Sequence, residues 1–356
     1  MINNPRILIV RLSSIGDVLH CTPVARTLKE ALPACHITWI VGKQSAEILR
    51  CNPHIDELYV WPREEWERAM RSGHFRQAWQ LWQQLRSYFC TKHYDVALDI
   101  HGLFLSGMVT AASHSSRRIG LSNTKELNSL FMTETAPLQN KERHVIQRYL
   151  SILKPLNITT ADYRMTLITP PAASKFANDF LKQHGIAPDD QLVAVNPVTT
   201  WAAKNWPPEY FARVIREVSE YAKILLCGGP ADQAIAAKIT ALADVPVINA
   251  VAKTGLLELA ALIRRAAVLV VGDTGPLHIA VAVGTPSVSI FGATDPLKFG
   301  PLTPGHVVLK GSAACAPCHK TACARKDLQC LKSVDPATVI QHTLALLENR
   351  SGHDLH

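Results

Sequence analysis

Three loops of this chain carry residues that could bind phosphate or move a proton, and the most informative one is Gly272–Pro296. It follows a short, Val-rich apolar run and opens with Asp273 and Thr274, both good helix N-cap residues. A strand, a tight glycine turn and a helix N-terminus bring free backbone N–H groups and the positive end of the helix dipole to one point, which suits a phosphate. His278, one turn into the helix, can add a donor. Taken alone, the segment is also compatible with an ordinary βαβ turn.

The second loop, at the end of the first predicted strand, carries a carboxylate, Asp17, in the run Ser13-Ser14-Ile15-Gly16-Asp17. A carboxylate in a strand-to-helix turn could deprotonate an acceptor hydroxyl as a general base. Equally, it could do no more than complement the positive N-terminus of the helix that follows.

The third loop, at residues 196–207, combines Thr199, Thr200 and Lys204. The two hydroxyls follow a strand end and can donate to a phosphate, while Lys204 supplies a mobile positive charge, although a single loop lysine is often only solvated surface. Together the three loops suit a nucleotide diphosphate leaving group, because fixed donors and cations stabilise the charge that grows as the bond breaks. The chain has no Asp-x-Asp pair to hold a divalent metal on a pyrophosphate. We therefore expect transfer without a metal cofactor, with Lys204, His278 and the helix N-terminus in that role.

Length and composition predict a two-domain globular protein. The chain has 356 residues, 47% of them hydrophobic and 19% charged, which excludes a disordered chain. It contains no apolar run near the ~20 residues needed to cross a bilayer, and the N-terminus does not resemble a signal peptide, so a cytoplasmic location is expected. The net charge of +8 favours an anionic partner. Because no nucleic-acid motif is present and the basic residues are dispersed, we expect a nucleotide-linked substrate or an anionic membrane surface rather than nucleic acid.

The nine cysteines fall into two groups. Five are scattered in apolar segments and are expected to be small buried side chains; they are Cys21, Cys35, Cys51, Cys90 and Cys227. The other four are clustered at Cys315, Cys318, Cys323 and Cys330. The opening CxxC is a common zinc half-site, but the last two cysteines are separated by more residues than is usual. A thiol-rich structural loop is therefore preferred, with zinc as the weaker alternative.

Alternating strand and helix patterns predict the elements that must position these loops. Strands are predicted at 6–12, 36–41, 57–61, 95–100, 192–197, 223–227, 245–249, 266–271 and 287–291. Helices are predicted at 18–31, 208–221, 256–266 and 336–348, and two further helices are predicted to end near residues 50 and 242. This alternation indicates an α/β fold with parallel sheets, in which ligands bind outside the carboxyl ends of the strands. We expect two Rossmann-like domains facing a central cleft, at 1–168 and 169–334, joined by a linker at 166–173. The segment 335–356 is expected to be a helix and tail that pack back across the domains.

One predicted helix carries an aromatic stripe that has two interpretations. Phe75, Trp79, Trp82, Leu85 and Phe89 recur at helical spacing, which favours a core-facing helix. The alternative is a membrane-surface role for this neighbourhood, because tryptophans and arginines are interspersed there. These residues are Trp61, Arg63, Trp66, Arg68, Arg71 and Arg76.

The motifs SSIGDVLH at 13–20, TTWAAKNWP at 199–207 and GDTGPLHIA at 272–280 with FGATDP at 291–296, in this order, resemble a known family. They are similar to those of the ADP-heptose:lipopolysaccharide heptosyltransferases of glycosyltransferase family 9, especially to heptosyltransferase I-like members. The resemblance covers nearly the whole chain. It implies a GT-B fold and an inverting, metal-independent transfer of heptose from ADP-heptose to the Kdo region of the lipopolysaccharide inner core.

The resemblance also implies roles for individual residues. Asp17 matches the catalytic base. The residues expected on the donor side are Ser14, Gly16, Thr199, Thr200, Lys204, Asp232, Thr254, Leu256, Asp273, Thr274, Gly275 and His278. Among these, Asp232 is expected at the ribose and Thr254 and Leu256 at the adenine. Thr274, Gly275 and His278 are expected at the pyrophosphate. Asp273 is expected at sugar hydroxyls, since a carboxylate would repel phosphate.

The acceptor side matches the family pattern less closely. The segment 98–107 resembles the DxQGLxKS pattern, but His101 replaces the Gln and Leu105 stands where a Lys is common. Acceptor phosphates or carboxylates are expected to meet four basic residues: Arg68, His101, His144 and Arg148.

The resemblance implies a set of partners, and other activities remain open. The expected partners are ADP-heptose, a lipid-linked Kdo acceptor and the cytoplasmic face of the inner membrane, contacted peripherally by a monomer. A glycosyltransferase for another nucleotide sugar, a non-catalytic nucleotide-sugar-binding protein, and a hydrolase or epimerase on the same fold are the alternatives.

Overall fold

A computed structural model describes residues 4–122, 124–139 and 143–351 of the chain. The chain divides into two compact units, residues 1–167 and 168–356. This division falls inside the segment 166–173 that was predicted as the linker, and the second part of that segment already forms the first turn of a helix that begins at Pro171.

All strand pairs within the described residues are parallel. The strands are β1 (Arg6–Val10), β2 (His36–Gly42), β3 (Glu57–Trp61), β4 (Val96–Asp99), β5 (Arg117–Leu121), β6 (Glu134–Ala136), β7 (Leu192–Asn196), β8 (Lys223–Leu226), β9 (Ile248–Asn249), β10 (Val268–Gly272), β11 (Ser287–Phe291) and β12 (His306–Lys310). The α-helices are α1 (Ile15–Ala31), α2 (Lys43–Ala46), α3 (Arg63–Arg71), α4 (Phe75–Cys90), α5 (Phe104–Ala112), α6 (Val145–Leu150), α7 (Pro171–Gln183), α8 (Pro208–Val218), α9 (Gln233–Ala243), α10 (Leu256–Arg265), α11 (Gly275–Val283), α12 (Pro296–Phe299), α13 (Gln329–Lys332) and α14 (Pro336–Ser351).

The two units share one strand order. The first has the order β3-β2-β1-β4-β5-β6 and the second has β12-β11-β10-β7-β8-β9, which is the same doubly wound arrangement counted from its own first strand. In such a sheet the order reverses between the first and fourth strands, and loops that leave those two strands in opposite directions open a crevice at their carboxyl ends. The loops after β1 and β4 occupy this position in the first unit, and those after β7 and β10 occupy it in the second.

The predicted elements agree with the structure in type, and most differ only at their ends. Strands β3 and β11 have the predicted bounds, whereas α1 begins three residues before the predicted start at 18. The inner strands are apolar along their whole length because helices cover both faces of a parallel sheet. Thus β7, β10 and β11 are fully buried.

The C-terminal helix α14 packs on α8 and against β10 and β11 of the second unit. It is therefore part of that unit's core, where Val339 and Ile340 join the buried cluster around Trp206. The prediction that the segment 335–356 also spans the domains remains a prediction.

The aromatic stripe of α4 is only partly directed into the core. Leu85 and Phe89 are buried and Trp82 is half-buried, but Phe75 and Trp79 are 64% and 63% exposed. The core-facing interpretation is therefore wrong for the first turns of the helix. Trp61, which belonged to the alternative membrane-surface set, is fully buried. Within the described residues, no helix combines the length and the apolar character that a membrane span requires.

None of the nine cysteines forms a disulfide, and not all of the scattered ones are buried. Cys51 is half-buried and Cys90 is exposed, which contradicts the expectation for these two. The four clustered cysteines line a small cavity of about 60 Å³ in the second unit. Across the described residues, however, no group of three or more His, Cys, Asp or Glu side chains is arranged to hold a metal ion. The preference for a structural loop over a zinc site remains a prediction.

Candidate active site

Asp17 lies in the first turn of α1 and is held by three side chains. Arg11 Nη2 lies 2.8 Å from Oδ2, the Tyr149 hydroxyl donates to Oδ1 at 2.8 Å, and the Ser14 hydroxyl donates to Oδ2 at 2.9 Å. The Asp17 side chain nevertheless remains 31% exposed. A carboxylate with a fixed orientation and an open side can accept a hydrogen bond from a bound hydroxyl.

The buried guanidinium of Arg11 determines the charge state of this carboxylate. Burial alone would raise the pKa of Asp17, but Arg11, His20 and the hydrogen bonds from Tyr149 and Ser14 together hold that pKa well below its usual range. Burial and the negative charge of Asp17 raise the pKa of Tyr149 well above its ordinary value. At neutral pH, therefore, Asp17 is ionised and Tyr149 is a permanent hydrogen-bond donor to it.

Arg11 is itself fixed from two sides. Its Nη1 donates to the Ile100 carbonyl at 3.0 Å, and the guanidinium carbon lies 5.0 Å from the centre of the Tyr149 ring. Such contacts hold a buried cation in one geometry, and breaking a buried ion pair by removing one partner is strongly destabilising. Arg11 therefore serves both the fold and the orientation of Asp17.

A second cationic group lies against the loop between β1 and α1. Arg63, the first residue of α3, donates to the Ser13 hydroxyl and to Glu67 Oε1 at 2.7 Å. His101, in the loop after β4, hydrogen-bonds to the backbone of Ser13. Burial, together with the positive charges of Arg11 and Arg63, lowers the pKa of His101 to about 3, so its ring is neutral. The predicted acceptor residue His101 is thus brought to the Asp17 loop.

The other three predicted acceptor residues lie elsewhere in the first unit. His144 and Arg148 are on α6, the helix that also carries Tyr149 and packs on α1, and the His144 ring meets His20 edge-on at 5.8 Å. Arg68 is exposed and lines a surface cavity of about 630 Å³ with residues of α2 and α3. The structure brings Arg63 to the Asp17 loop. The predicted contact of Arg68 with the acceptor remains a prediction.

In the second unit, the loops after β7 and β10 are joined by an ion pair. Lys204 Nζ lies 2.8 Å from Asp273 Oδ2 and donates to the Asp273 carbonyl at 3.2 Å. The same ammonium lies 4.4 Å from the centre of the Trp201 ring. Thr294 donates to Asp273 Oδ2 at 2.6 Å, and His278 Nε2 lies 3.9 Å from Oδ1. The Asp273 carboxylate thus orients Lys204 in the chain without ligand; its predicted contact with sugar hydroxyls remains a prediction.

A glycine allows these two loops to approach closely. A Cβ at Gly272 would lie 3.0 Å from Thr199 Cγ2 and 3.4 Å from the Lys204 carbonyl oxygen. Thr199 is in turn fixed by Asn205, whose Oδ1 accepts from the Thr199 backbone N–H at 2.8 Å and lies 2.9 Å from its hydroxyl. The Thr199 hydroxyl is therefore engaged within the loop, whereas Thr200 is exposed.

The N-terminus of α11 adjoins this ion pair. Thr274 occupies the N-cap position with extended backbone, and it makes no side-chain capping hydrogen bond. Pro276 stands in the first turn, where its missing N–H costs nothing. The Leu277 N–H already donates to the Thr274 carbonyl at 3.0 Å. The Gly275 N–H and the helix dipole can therefore serve a bound phosphate, next to the Lys204 ammonium.

The remaining predicted donor residues follow along the same edge of the second sheet. Asp232 lies in the turn after β8, with Oδ2 accepting from the Gly229 N–H at 2.7 Å. Thr254 and Leu256 lie at the start of α10, after β9, and both are half-buried. Asp273 and Lys204 follow β10 and β7, Asp232 follows β8, and Thr254 and Leu256 follow β9. In the strand order β10-β7-β8-β9, these residues therefore lie at successive positions across the sheet. The predicted contacts of Asp232 with ribose and of Thr254 and Leu256 with adenine remain predictions.

Comparison with known proteins assigns the chain to a family. Residues 78–329 match the sequence profile described as "Glycosyltransferase family 9 (heptosyltransferase)". The chain belongs to glycosyltransferase family 9. It is 25% identical to the lipopolysaccharide core heptosyltransferase OpsX of Haemophilus influenzae, over 74% of this chain and 72% of that protein. It is 26% identical to the lipopolysaccharide heptosyltransferase 1 of Pseudomonas aeruginosa, over 89% of this chain and 87% of that protein.

Solved structures show the same fold. A family 9 glycosyltransferase from Veillonella parvula is similar with a TM-score of 0.83 and 24% identity, covering 98% of this chain and 99% of that one. The E. coli heptosyltransferase WaaC with ADP is similar with a TM-score of 0.74 and 22% identity, covering 96% of this chain and 99% of that one. The predicted α/β, GT-B fold of this family 9 glycosyltransferase is thereby confirmed.

The sequence motifs of this family 9 glycosyltransferase did not reveal three residues of the Asp17 cluster. Tyr149 is 132 residues from Asp17, and Arg63 is 50 residues from Ser13, so no local pattern links them. Arg11 did carry a signal, because it is a cation directly after a buried strand and six residues before the only carboxylate of that loop. A charge at such a position requires a partner nearby.

Proposed function

We propose that this family 9 glycosyltransferase moves heptose from ADP-heptose to the Kdo region of the lipopolysaccharide inner core, with inversion at the anomeric carbon. The observation that carries the proposal is the Lys204–Asp273 pair beside the uncapped N-terminus of α11. It offers a cation, the Gly275 N–H and the positive end of a helix dipole where a pyrophosphate would leave. The named relatives are lipopolysaccharide heptosyltransferases, and one solved neighbour, WaaC, holds ADP.

In the proposed reaction, the leaving group is stabilised without a metal ion. The acceptor oxygen forms a bond to the anomeric carbon while the bond from that carbon to the β-phosphate oxygen breaks, and its electron pair leaves with ADP. Lys204, the Gly275 N–H and the positive end of the α11 dipole meet the charge that develops on the phosphate. Asp273 keeps Lys204 at this place before the donor arrives, since Lys204 Nζ contacts both its carboxylate and its carbonyl.

Asp17 receives the proton of the acceptor hydroxyl. A carboxylate with a strongly lowered pKa is a weak base towards a free hydroxyl. As the new bond forms, however, the attacking oxygen becomes positively charged and far more acidic, so a weak base suffices once bond formation is advanced. The contacts of Arg11 and Tyr149 with the carboxylate serve to orient it for this late transfer.

Arg63 and His101 are the acceptor-side groups nearest to this reaction. Arg63 uses part of its guanidinium on Ser13 and Glu67, and a guanidinium has five N–H donors in a planar fork that fits a carboxylate. The Nδ1 atom of His101 and the Nε atom of Arg11 are buried and have no hydrogen-bond partner within the described part of the chain. An acidic sugar at this place would supply a carboxylate as the acceptor for Arg11 Nε and a hydroxyl as the donor for Nδ1 of the neutral His101 ring.

The proposed function also implies where the enzyme works in the cell and that it works as a monomer. A lipid-linked acceptor requires the enzyme to work at a membrane, so we expect a monomer that associates peripherally with the cytoplasmic face of the inner membrane. Fractionation of cells and sedimentation velocity of the purified protein would test these two points.

The first test is a transfer assay with a panel of nucleotide sugars in the presence of excess EDTA. ADP-heptose should give a product with a new glycosidic bond on a Kdo-containing acceptor, identified by mass spectrometry and NMR, and the rate should not depend on added metal. Turnover only with another nucleotide sugar would contradict ADP-heptose as the donor. Hydrolysis of the donor without transfer would contradict the glycosyltransferase reaction. Inhibition by EDTA would contradict the metal-independent mechanism.

The second test separates catalysis from binding. Asp17→Asn should lower the transfer rate by about 10²–10⁴-fold, as expected when a general base is removed, while ADP affinity measured by calorimetry stays within about threefold of the wild type. Asp189→Asn, at an exposed loop carboxylate, is the matched control and should retain activity. Unchanged transfer by Asp17→Asn would favour a non-catalytic role for this loop.

A further inference from the structure

The hairpin formed by α3 and α4 exposes a group of large apolar side chains. Met70, Phe75 and Trp79 are 41%, 64% and 63% exposed. Phe75 and Trp79 are one helical turn apart and share a side of α4, next to the buried side that carries Leu85 and Phe89. Isolated exposed apolar residues are common, but two exposed aromatic rings one turn apart on α4, with an exposed methionine near the end of the preceding helix α3, favour a surface that binds a partner.

Arginines surround this patch. Arg71, Arg76 and Arg86 are exposed, and Arg86 lies two turns beyond Trp79 on the same side of the helix. Helix α4 has no Asp or Glu in any of its 16 residues. Neither Arg76 nor Arg86 forms an ion pair with another described residue, and Arg71 has only a long contact of 3.6 Å with Glu67. The patch is therefore apolar at its centre and positive at its rim.

The acidic residues of the hairpin all lie on α3, and two of them are engaged by cations. Glu67 contacts Arg63 at 2.7 Å, and Glu65 lies 3.8 Å from Lys43. Glu64 lines the cavity that also contains Arg68, on α3. The face that carries Phe75, Trp79 and Arg86 thus has no carboxylate of its own to repel an anionic surface.

This combination matches the chemistry of an anionic bilayer surface. Aromatic side chains prefer the boundary between headgroups and acyl chains, and arginines beside them bind lipid phosphates. A stable protein partner would require a contiguous interface of about 800 Å² on each side, which is more than three side chains can offer. The positive rim also argues against a second copy of the same patch, because like charges would meet.

We propose that the α3–α4 hairpin is the membrane-docking surface of this protein, with Phe75 and Trp79 inserted at the headgroup boundary and Arg71, Arg76 and Arg86 bound to anionic lipid headgroups. Arg63, at the start of α3, contacts the Asp17 loop, and about 12 Å of helix separate it from Arg71. The hairpin thus connects the lipid surface to the reaction centre of the same unit. The inference uses the proposed function only for the lipid-linked acceptor, because docking itself requires no donor and no turnover.

The test is binding of the full-length protein to vesicles of phosphatidylethanolamine and phosphatidylglycerol, compared with vesicles of phosphatidylcholine alone, without ADP-heptose. The wild type should prefer the anionic vesicles, and Phe75→Ser/Trp79→Ser should bind them at least about 10-fold more weakly. Arg76→Gln/Arg86→Gln should bind the anionic vesicles about 10-fold or more weakly than the wild type does. High salt should weaken the binding of the wild type by most of the same factor. Circular dichroism and melting curves of each variant establish that it is folded.

Matched controls place equal changes on the second unit. Tyr221→Ser/Leu242→Ser removes two exposed apolar side chains, and Lys175→Gln/Lys182→Gln removes two exposed charges from α7; both should bind like the wild type. Equal binding of the wild type to both kinds of vesicle, or wild-type binding by Phe75→Ser/Trp79→Ser, would overturn the proposal. So would a change in oligomeric state without a change in vesicle binding, which would identify the patch as a protein interface.

Activity assays separate this inference from the proposed function. With a soluble, delipidated acceptor, Phe75→Ser/Trp79→Ser should keep the wild-type rate, whereas with acceptor embedded in anionic vesicles its rate should fall. Vesicle binding without any transfer by the wild type would contradict the heptosyltransferase proposal and leave docking supported. Equal loss with both acceptors would contradict a docking role for the pair.

Discussion

At the scale of single residues, the proposed reaction centre of the first unit depends on one ion pair between a buried arginine and a partly exposed carboxylate. Arg11 and Asp17 are 2.8 Å apart, with only 7% of the Arg11 side chain exposed. Removing either charge leaves the other without compensation in a poorly hydrated place, which is more costly than the pair itself is stabilising. The pair therefore constrains both the orientation of Asp17 and the pH range in which it is ionised.

Arg11→Gln should move the acidic limb of activity to higher pH. In the wild type the lowered pKa of Asp17 keeps it ionised through the assay range, so Asp17 produces no loss of rate above about pH 4. Without the guanidinium, burial dominates and raises that pKa, so kcat/KM should begin to fall at least about one pH unit higher. Arg117→Gln, which breaks the exposed pair with Glu134, should keep the wild-type profile. Coincident profiles for Arg11→Gln and the wild type would contradict the role of Arg11.

The same pair has a consequence for stability. Because the pKa of Asp17 is lower in the folded than in the unfolded protein, the stabilisation is complete above the unfolded value of about 3.9 and is lost as the pH falls through the lowered folded value. Melting temperatures of Arg11→Gln should therefore lie below those of the wild type at neutral pH, and the gap should narrow under acid conditions.

Lys204→Met should weaken binding of ADP but not of adenosine. The ammonium is held beside the N-terminus of α11, where the proposed function places the phosphates of the nucleotide. Losing a charge-assisted hydrogen bond of about 1.5–3 kcal/mol predicts a decrease in ADP affinity of roughly 10–100-fold. Isothermal titration calorimetry with both ligands measures this difference. Lys238→Met, an exposed lysine of the same unit paired with Glu209, is the control; equal losses for ADP and adenosine would point to a damaged loop instead.

At the scale of elements, the position of the candidate loops in each unit follows from one strand order that both units share. The loops after the first and fourth strands of each sheet carry Asp17 and His101 in one unit, and Lys204 and Asp273 in the other. Glycine turns at these loops are readable from sequence because they are local. Which loops become neighbours depends on strand order, and the sequence states this order only through the alternation of strands and helices.

Gly311→Ala should destabilise the second unit by disrupting the packing of Gly311 against the backbone of Cys330 in the four-cysteine loop. Gly311 follows β12, and a Cβ there would lie 1.5 Å from the Cys330 carbonyl oxygen, so the backbone would have to move. We expect a loss of about 2 kcal/mol or more in the free energy of unfolding, measured by urea denaturation. Gly229→Ala is the control, because its nearest neighbour would be 3.7 Å away. If Gly311→Ala were as stable as the wild type, the close contact between Gly311 and Cys330 would not hold the four-cysteine loop in place.

Helix α4 shows why hydrophobic periodicity alone misassigned part of the aromatic stripe. A repeat of three and four residues places side chains on one side of a helix, but it does not state what covers that side. Leu85 and Phe89 meet the first sheet's core, whereas Phe75 and Trp79 extend beyond it. The pattern was interpreted correctly as a helix, and its environment could be assigned only from the fold.

At the scale of the whole molecule, each unit has its own sheet and its own buried cluster. The cluster in the first unit includes Trp61 and Phe89, and the cluster in the second is built around Trp206 and Phe211. Most of the predicted donor residues belong to the second unit, since only Ser14 and Gly16 lie before residue 168.

A fragment of residues 168–356 should therefore fold and bind ADP by itself. We expect a cooperative melting transition and an ADP dissociation constant within about 10-fold of the full chain, which corresponds to about 1.4 kcal/mol. The fragment with Lys204→Met should bind less tightly by the same factor as the full-length variant. An unfolded fragment, or a folded one without affinity for ADP, would show that donor binding depends on the first unit.

The sequence by itself determined the α/β class, most of the elements and the three loops that carry Asp17, Lys204 and Asp273. These features are encoded locally, by apolar runs, glycine turns and capping residues whose effects extend over a few positions. It did not determine which charges would be paired. The contacts of Asp17 with Tyr149 and of Lys204 with Asp273 join residues 132 and 69 positions apart. Only the tertiary structure decided these contacts, and the exposure of Phe75 and Trp79, because strand order and packing bring distant side chains together or leave them in solvent.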